Sequence, residues 1–217
     1  MTPDRHCRAW VRSSARLALP GRERGDAEAL TAWFDAGLPA VVCRSDGDAA
    51  PGELALGVLF PPGESGRGRP VACRVAGRDV RRIEPPPGLA EVASRASGIW
   101  ARGLGELILM VEGSGDFGVY GSHMWQIVTG RRYVRDDSDI DLCIPARGRR
   151  AAGTIGKALL AWERRTGLRA DGEFMFPGGA AVSWREYHAG SGREVLMKGI
   201  RSVGMASREE LSDAVPR

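Results

Sequence analysis

The segment Val119-Tyr120-Gly121-Ser122, followed seventeen residues after Ser122 by Asp139-Ile140-Asp141-Leu142, decides the fold of the C-terminal half of this chain. Apolar residues alternate with Asp139 and Asp141, and this period of two predicts a strand whose two carboxylates leave the same face. Two like charges so close together are costly unless a positive group lies between them. Because Mg²⁺ usually takes one or two carboxylates plus substrate phosphates, the pair predicts a Mg²⁺ site formed by Asp139 and Asp141.

The Gly121-Ser122 pair stands where an apolar strand at residues 117–120 meets a predicted helix at residues 122–129. Glycine lets a ligand approach the backbone closely, and a helix N-terminus offers unpaired N–H groups and the positive end of the helix dipole. We therefore expect Gly121 and Ser122 to bind phosphates. Either motif alone could be an exposed strand edge or an ordinary turn. In this order they indicate metal-assisted phosphoryl or nucleotidyl transfer.

A further pair of carboxylates follows in Asp171-Gly172-Glu173, on the next predicted strand. If that strand lies beside the first, one of these side chains completes the site and takes the proton from an attacking hydroxyl. The alternative is a hairpin turn with an exposed glutamate. The residues leave the choice between Asp171 and Glu173 open, leaning to Asp171.

Three basic residues are candidates for phosphate binding. Lys198 is one of two lysines in an arginine-rich chain and lies on a predicted strand, where its ammonium group could reach a phosphate or simply be solvated. Arg131 and Arg132 lie between the predicted helix and the aspartate strand, and could bind phosphates bidentately. His123 follows Ser122 and is a weaker candidate for the same site.

Composition bounds the class of protein. With 217 residues, 43% of them hydrophobic and 27% charged, the chain has the make-up of a soluble globular protein of one large or two small domains. No apolar run is long enough to span a bilayer, and the N-terminus lacks the apolar run of a signal peptide. The four cysteines lack metal-site spacing. We expect reduced thiols in a cytoplasmic protein.

The net charge of +4 is compatible with an anionic partner but does not identify one. The arginines are spread along the chain and form no single tract, so nucleic acid is discounted as a partner. A modest positive field would still attract phosphate substrates or an acidic protein.

Pro85-Pro86-Pro87-Gly88 is the strongest break in the chain, because three prolines can continue neither a helix nor a central strand. We predict a small α/β domain at residues 1–87 and a catalytic domain at residues 88–217. Periodicity in the second half predicts helices at residues 89–100, 122–129 and 151–166, and strands at residues 117–120, 138–144, 168–176, 180–187 and 194–200. This order predicts an α+β fold, a mixed sheet with helices on one face.

At these residues the chain resembles the nucleotidyltransferase superfamily typified by DNA polymerase beta, whose signature is an apolar strand, Gly-Ser, a helix and then Asp-x-Asp. The longer string from Tyr120 through Trp125, Gln126 and Tyr133 to Asp141 is more particular. It is similar to the phosphoribosyl-dephospho-CoA transferases of malonate decarboxylase, also called holo-acyl-carrier-protein synthases. Matches at Lys198 and, more loosely, in the N-terminal half extend the resemblance over nearly the whole chain.

The resemblance implies a nucleotidyltransferase-like fold and transfer of a phosphoribosyl-dephospho-CoA group from triphosphoribosyl-dephospho-CoA. The acceptor it implies is a serine of the apo acyl carrier subunit of malonate decarboxylase, with release of diphosphate. Two other functions stay open: AMP transfer to a small molecule, a protein or an RNA end, and a catalytically inactive nucleic-acid-binding or regulatory module. The intact Asp139 and Asp141 argue against the inactive module.

Overall fold

A computed structural model describes residues 4–20, 25–45, 50–63, 68–146, 148–177, 179–189, 194–200, 203–208 and 211. The chain divides into two compact units. The first is Met1–Pro86 together with Val128–Tyr133, and the second is Pro87–Ile127 together with Val134–Arg217.

The first unit is built around an antiparallel sheet with an α-helix. Its elements are β1 (Arg8–Val11), α1 (Asp26–Asp35), β2 (Ala40–Val42), β3 (Glu53–Phe60), β4 (Arg69–Ala76), a short 3₁₀ helix (Gly77–Asp79) and β5 (Val80–Glu84). Within the described residues the sheet has five strands in the order β4-β3-β2-β1-β5, and each recorded pairing is antiparallel. This unit contains both strands and an α-helix, and its strands pair antiparallel. The domain limits at residues 1–87 and 88–217 stay a prediction.

Helix α1 contributes three large side chains to the core of this unit. Its Leu30, Trp33 and Phe34 are buried, at the helical spacing that the sequence pattern shows. The indole Nε1–H of Trp33 donates a hydrogen bond to the carbonyl oxygen of Pro39 at 2.9 Å. The Trp33 ring also meets Phe60 edge to face, with 5.3 Å between ring centroids. A buried aromatic residue with its polar atom satisfied is a stable core element.

The second unit alternates helices and strands and then ends in a series of strands. Its elements are α2 (Leu89–Arg95), α3 (Gly98–Met110), β6 (Gly118–Tyr120), α4 (Gly121–Thr129), β7 (Asp139–Pro145), α5 (Arg149–Thr166), β8 (Arg169–Met175), β9 (Ala181–Ser183), α6 (Trp184–Ala189), β10 (Glu194–Lys198) and β11 (Val203–Ser207).

The sheet of the second unit is mixed. Among the described residues it has six strands in the order β11-β10-β9-β8-β7-β6, with β7 and β8 parallel and the other recorded pairs antiparallel. β7 and β8 can run parallel because the 18-residue helix α5 connects them, as a crossover between parallel strands requires. The predicted α+β class, with a mixed sheet, is confirmed.

One face of this sheet packs against helices. Ile140, Leu142 and Ile144 of β7 are fully buried and belong to one core with residues of α3 and α5. The indole Nε1–H of Trp162 donates to the carbonyl oxygen of Gly103 at 2.7 Å. A Cβ on Gly103 would overlap the side chain of Leu168, so glycine permits this close approach. The opposite face of the sheet carries Asp139 and Asp141 of β7.

Two predicted elements are corrected. The single helix expected at residues 89–100 is two helices, α2 and α3, and α3 continues to Met110. The strand expected at residues 180–187 ends at Ser183, and α6 follows it. Trp184 and Tyr187 are both buried, and their spacing of three residues is that of a helix face. The helix at residues 151–166 was placed to within two residues of α5.

Across the residues that the structure describes, no helix combines the length and apolar character needed to cross a membrane.

Candidate active site

The two aspartates of the Asp-x-Asp motif lie on the face of the sheet away from the helices. In β7, residues alternate between half-buried and buried from Asp139 to Pro145. Asp139 and Asp141 are half-buried on one face, while Ile140 and Leu142 are fully buried on the other. The alternation in the sequence therefore places both carboxylates as the strand pattern predicts.

Neighbouring strands bring further polar groups to the same place. Tyr120 of β6 pairs in register with Asp141, and Asp141 pairs in parallel register with Asp171 of β8. Paired residues on adjacent strands point to the same face of a sheet. The structure therefore brings Asp171 beside Asp141. It also adds the phenol of Tyr120, to which the sequence analysis gave no part in the site.

The turn from β6 into α4 explains the glycine of the Gly-Ser motif. Gly121 has φ of 64°, a left-handed conformation that L side chains adopt at a cost. A Cβ at residue 121 would also overlap the carboxylate of Asp141, with its Cγ 2.7 Å away. Ser122 follows, half-buried in the first turn of α4. Backbone N–H groups at such a helix start are available to an anion.

The carboxylates repel one another. Burial, and then the charges of Asp171 and Asp139, raise the pKa of Asp141 to about 7. The pKa of Tyr120 is raised as well, by burial first and then by Glu173, Asp141, Cys143 and Asp171. Within the described part of the chain, no hydrogen bond or ion pair involves the side-chain carboxylate of Asp139 or Asp141. A cation placed at these carboxylates would relieve that repulsion.

The donor set suits Mg²⁺. No group of three His, Cys, Asp or Glu side chains within the described residues is arranged to hold a metal ion. Mg²⁺ does not need one, because it keeps several water ligands and binds through one or two carboxylates together with substrate phosphates. Asp139 and Asp141 are the residues that could hold it. Completion of metal binding by a third carboxylate, as the sequence suggested, stays a prediction.

Asp171 and Glu173, which the sequence could not separate, lie in different surroundings. Asp171 is exposed, and its Oδ1 accepts a hydrogen bond from the Gly172 N–H at 2.8 Å. Glu173 is buried, and Lys198 Nζ donates to its Oε1 at 3.2 Å. Lys198, predicted as a phosphate-binding residue, is therefore ion-paired with a carboxylate of the same face.

The remaining candidates are two arginines and a histidine. Arg131 and Arg132 are exposed and fall in the segment Val128–Tyr133, which belongs to the first unit. Their part in phosphate binding stays a prediction. His123 is buried against Trp100, with ring centroids 4.4 Å apart, and burial lowers its pKa to about 4. A neutral, buried imidazole of this kind is a core residue.

Family models match both halves of the chain. Residues 4–86 match the model described as phosphoribosyl-dephospho-CoA transferase MdcG N-terminal domain. Residues 88–209 match the one described as phosphoribosyl-dephospho-CoA transferase MdcG C-terminal domain. No solved structure matches the chain.

Curated relatives agree with these models. A protein named phosphoribosyl-dephospho-CoA transferase from Xanthomonas euvesicatoria pv. vesicatoria (strain 85-10) is 37% identical over 211 residues, covering 95% of each chain. One with the same name from Xanthomonas campestris pv. campestris (strain 8004) is 40% identical over 197 residues, covering 89% of each chain. Another from Bradyrhizobium diazoefficiens is 34% identical over 211 residues, covering 96% of this chain and 92% of its own. The chain therefore belongs to the phosphoribosyl-dephospho-CoA transferase family of enzymes.

Proposed function

We propose that this protein transfers a phosphoribosyl-dephospho-CoA group from triphosphoribosyl-dephospho-CoA to a serine of the apo acyl carrier subunit of malonate decarboxylase. The serine Oγ attacks the phosphorus next to the ribose, and a new P–O bond forms. The bond from that phosphorus to the diphosphate breaks, and diphosphate leaves with the electron pair. The product carries the prosthetic group through a phosphodiester. The family to which the chain belongs supports the group transferred.

The observation that carries this proposal is the grouping of Asp139, Asp141 and Asp171 beside the Gly121 turn. Three carboxylates on one face, with the pKa of Asp141 raised to about 7, form a site that favours a cation. Asp139 and Asp141 would hold Mg²⁺, which when bound neutralises charge on the triphosphate and on the leaving diphosphate. Gly121 and Ser122, at the N-terminus of α4, would orient the phosphates through backbone N–H groups.

Asp171 is the carboxylate we assign to the serine proton. It is exposed, so an incoming hydroxyl can reach it, and its register partner is Asp141. A positioned carboxylate takes the proton as the P–O bond forms, provided that it lies within hydrogen-bond reach of the hydroxyl. Since transfer of this kind involves little covalent chemistry by the protein, alignment and charge neutralisation would supply most of the rate.

The setting we propose is the cytoplasm. The described cysteines Cys7, Cys43, Cys73 and Cys143 are free thiols, which is the usual state of cysteines in a reducing compartment.

The test is an intact-mass measurement of purified apo carrier subunit after incubation with the protein and Mg²⁺. Parallel reactions receive triphosphoribosyl-dephospho-CoA or ATP. We expect the carrier to gain the phosphoribosyl-dephospho-CoA mass and little AMP. Efficient gain of AMP without the CoA-derived group would instead favour AMP transfer. Because the protein carries a net charge of +4, its association with an acidic carrier should be faster at low salt.

A further inference from the structure

The ion pair between Glu173 and Lys198 is uneven in its exposure. The Glu173 side chain is 6% exposed and the Lys198 side chain 36%, with Nζ and Oε1 3.2 Å apart. A buried carboxylate is costly unless a cation and hydrogen bonds satisfy it. The pair therefore fixes the position of the lysine, whose other side faces solvent.

The pair lies on the carboxylate face. Glu173 pairs in register with Cys143, two residues along β7 from Asp141. Among the neighbouring charges that raise the pKa of Tyr120, the charge of Glu173 has the largest effect, followed by that of Asp141. The Glu173 carboxylate is therefore near the same phenol as the aspartates. Lys198 reaches it from β10, where its backbone pairs with Ala181 of β9. The ammonium group thus lies at the border of the site.

Glu173 is poorly suited to hold a metal ion itself. Its Oε1 already accepts a hydrogen bond from the Lys198 ammonium, and a second cation at that oxygen would be repelled by the first. The ammonium group has three N–H donors, and within the described residues Glu173 is its recorded partner. It therefore has donors left for an anion at the exposed side.

We propose that Glu173 is a positioning residue that holds the Lys198 ammonium where it binds the diphosphate portion of the donor. The inference rests on the proposed function for the identity of the donor, but its ligand chemistry is a magnesium-bound diphosphate. Lysine acts here as a compact point charge on the leaving phosphates. In this proposal Asp139 and Asp141 bind the metal, and Asp171 accepts the serine proton. Glu173 and Lys198 together bind the leaving group.

Calorimetric titration with diphosphate and Mg²⁺ tests the pair on the full-length protein without the carrier. Lys198→Met should weaken diphosphate binding by about tenfold or more, the scale of one charge-assisted contact. Glu173→Gln should weaken it by a smaller factor, and the double variant should be no weaker than Lys198→Met alone, because the two residues act as a unit. Lys198→Arg should recover part of the affinity.

Matched controls come from the same unit. Lys157→Met removes the other lysine of the chain, which is exposed on α5. Glu106→Gln breaks the ion pair between the half-buried Glu106 and the exposed Arg165, whose N···O distance is 3.3 Å. Both should leave diphosphate affinity at the wild-type value.

The charge-reversed variant, Glu173→Lys with Lys198→Glu, distinguishes an ion pair that positions Lys198 for diphosphate from one that only stabilises the fold. It keeps the pair but places the negative charge at the exposed position. We expect a melting temperature near that of wild type and loss of diphosphate binding. Recovery of diphosphate binding in this variant would show a purely structural pair and overturn the inference. So would wild-type diphosphate affinity in Lys198→Met, or a Glu173→Gln variant that loses Mg²⁺ binding in the titration as fully as Asp141→Asn does.

The two proposals fail in different ways. A wild-type protein that binds magnesium diphosphate through Lys198 but never modifies the carrier would refute the proposed acceptor and leave the pair inference standing. A wild-type protein that modifies the carrier while Lys198→Met binds diphosphate normally would refute the pair inference alone.

Discussion

Gly121 and Asp141 approach each other so closely that residue 121 has no room for a side chain. A Cβ there would stand 2.7 Å from Cγ of Asp141 and overlap its carboxylate. The same residue has φ of 64°. The glycine of the proposed phosphate-binding turn and the aspartate of the proposed metal site are therefore packed against each other, although they lie twenty positions apart in the sequence.

Gly121→Ala should damage both stability and transfer. The left-handed conformation costs an alanine about 1–2 kcal/mol, and the overlap with Asp141 adds to that cost. Displacement of the Asp141 carboxylate should lower the transfer rate as well. Chemical denaturation and carrier mass measure the two effects. Gly153→Ala is the control, because a Cβ at that position in α5 meets nothing within 4 Å and alanine is the better helix former. Normal transfer by Gly121→Ala would contradict the assigned geometry.

Asp139→Asn and Asp141→Asn should each abolish transfer while the melting temperature stays the same or rises. Each substitution removes a charge from a group of carboxylates that repel one another. Mass spectrometry of the carrier and a thermal melt give both readouts, with the exposed Asp116→Asn as control. Transfer within about tenfold of wild type in both variants, a barrier change of only about 1.4 kcal/mol, would refute the metal site.

Removal of divalent metal should stop the reaction. Excess EDTA should prevent modification of the carrier, and Mg²⁺ added beyond the chelator should restore it, because the triphosphate and the aspartates are both anionic and need a cation between them. The measurement is the fraction of carrier modified with time. Turnover that continues in EDTA would be incompatible with the proposed role of Asp139 and Asp141.

Asp171→Asn should lower the maximal transfer rate far more than it raises the donor KM. A residue that accepts a proton in the transition state contributes to kcat, and such groups typically contribute about 10²–10⁴-fold. Transfer rates measured over a range of donor concentrations, up to saturation, separate the two parameters. Since the asparagine is similar in size and Asp171 is exposed, the fold should survive. A rise in KM alone, with kcat unchanged, would show that Asp171 contributes to donor binding and not to proton transfer.

His123 should make the protein less stable in mild acid. Burial lowers its pKa from 6.5 to about 4, so between those values the unfolded chain binds more protons than the folded one. The stability associated with this residue is complete above pH 6.5 and is lost as the pH falls towards 4. His123→Leu removes that loss. The difference in free energy of unfolding between the variant and wild type should therefore be about 2 kcal/mol more favourable to the variant at pH 5 than at pH 8. Urea unfolding at the two pH values measures the difference, and an equal effect at both would contradict the neutral buried imidazole.

Local patterns predicted well those elements whose burial repeats regularly along the chain. The alternation at Ile140, Leu142 and Ile144 identified β7, and the run ending at Thr166 identified α5 to within two residues. The pattern was misread at residues 180–187, where a three-residue strand passes directly into a single-turn helix. Neither element is long enough to establish a period.

The sequence by itself determined that Asp139 and Asp141 share a face, because successive side chains of any strand alternate. It also determined a glycine turn into a helix just upstream. Which further carboxylate joins them was decided only by the tertiary structure. The parallel register of β7 and β8 sets Asp171 opposite Asp141, and Lys198 on β10 takes Glu173 as its partner. Strand pairing and long-range ion pairs depend on contacts between segments distant in the chain. The pattern of residue types within one segment decides which of its faces is buried, but not which other segment pairs with it.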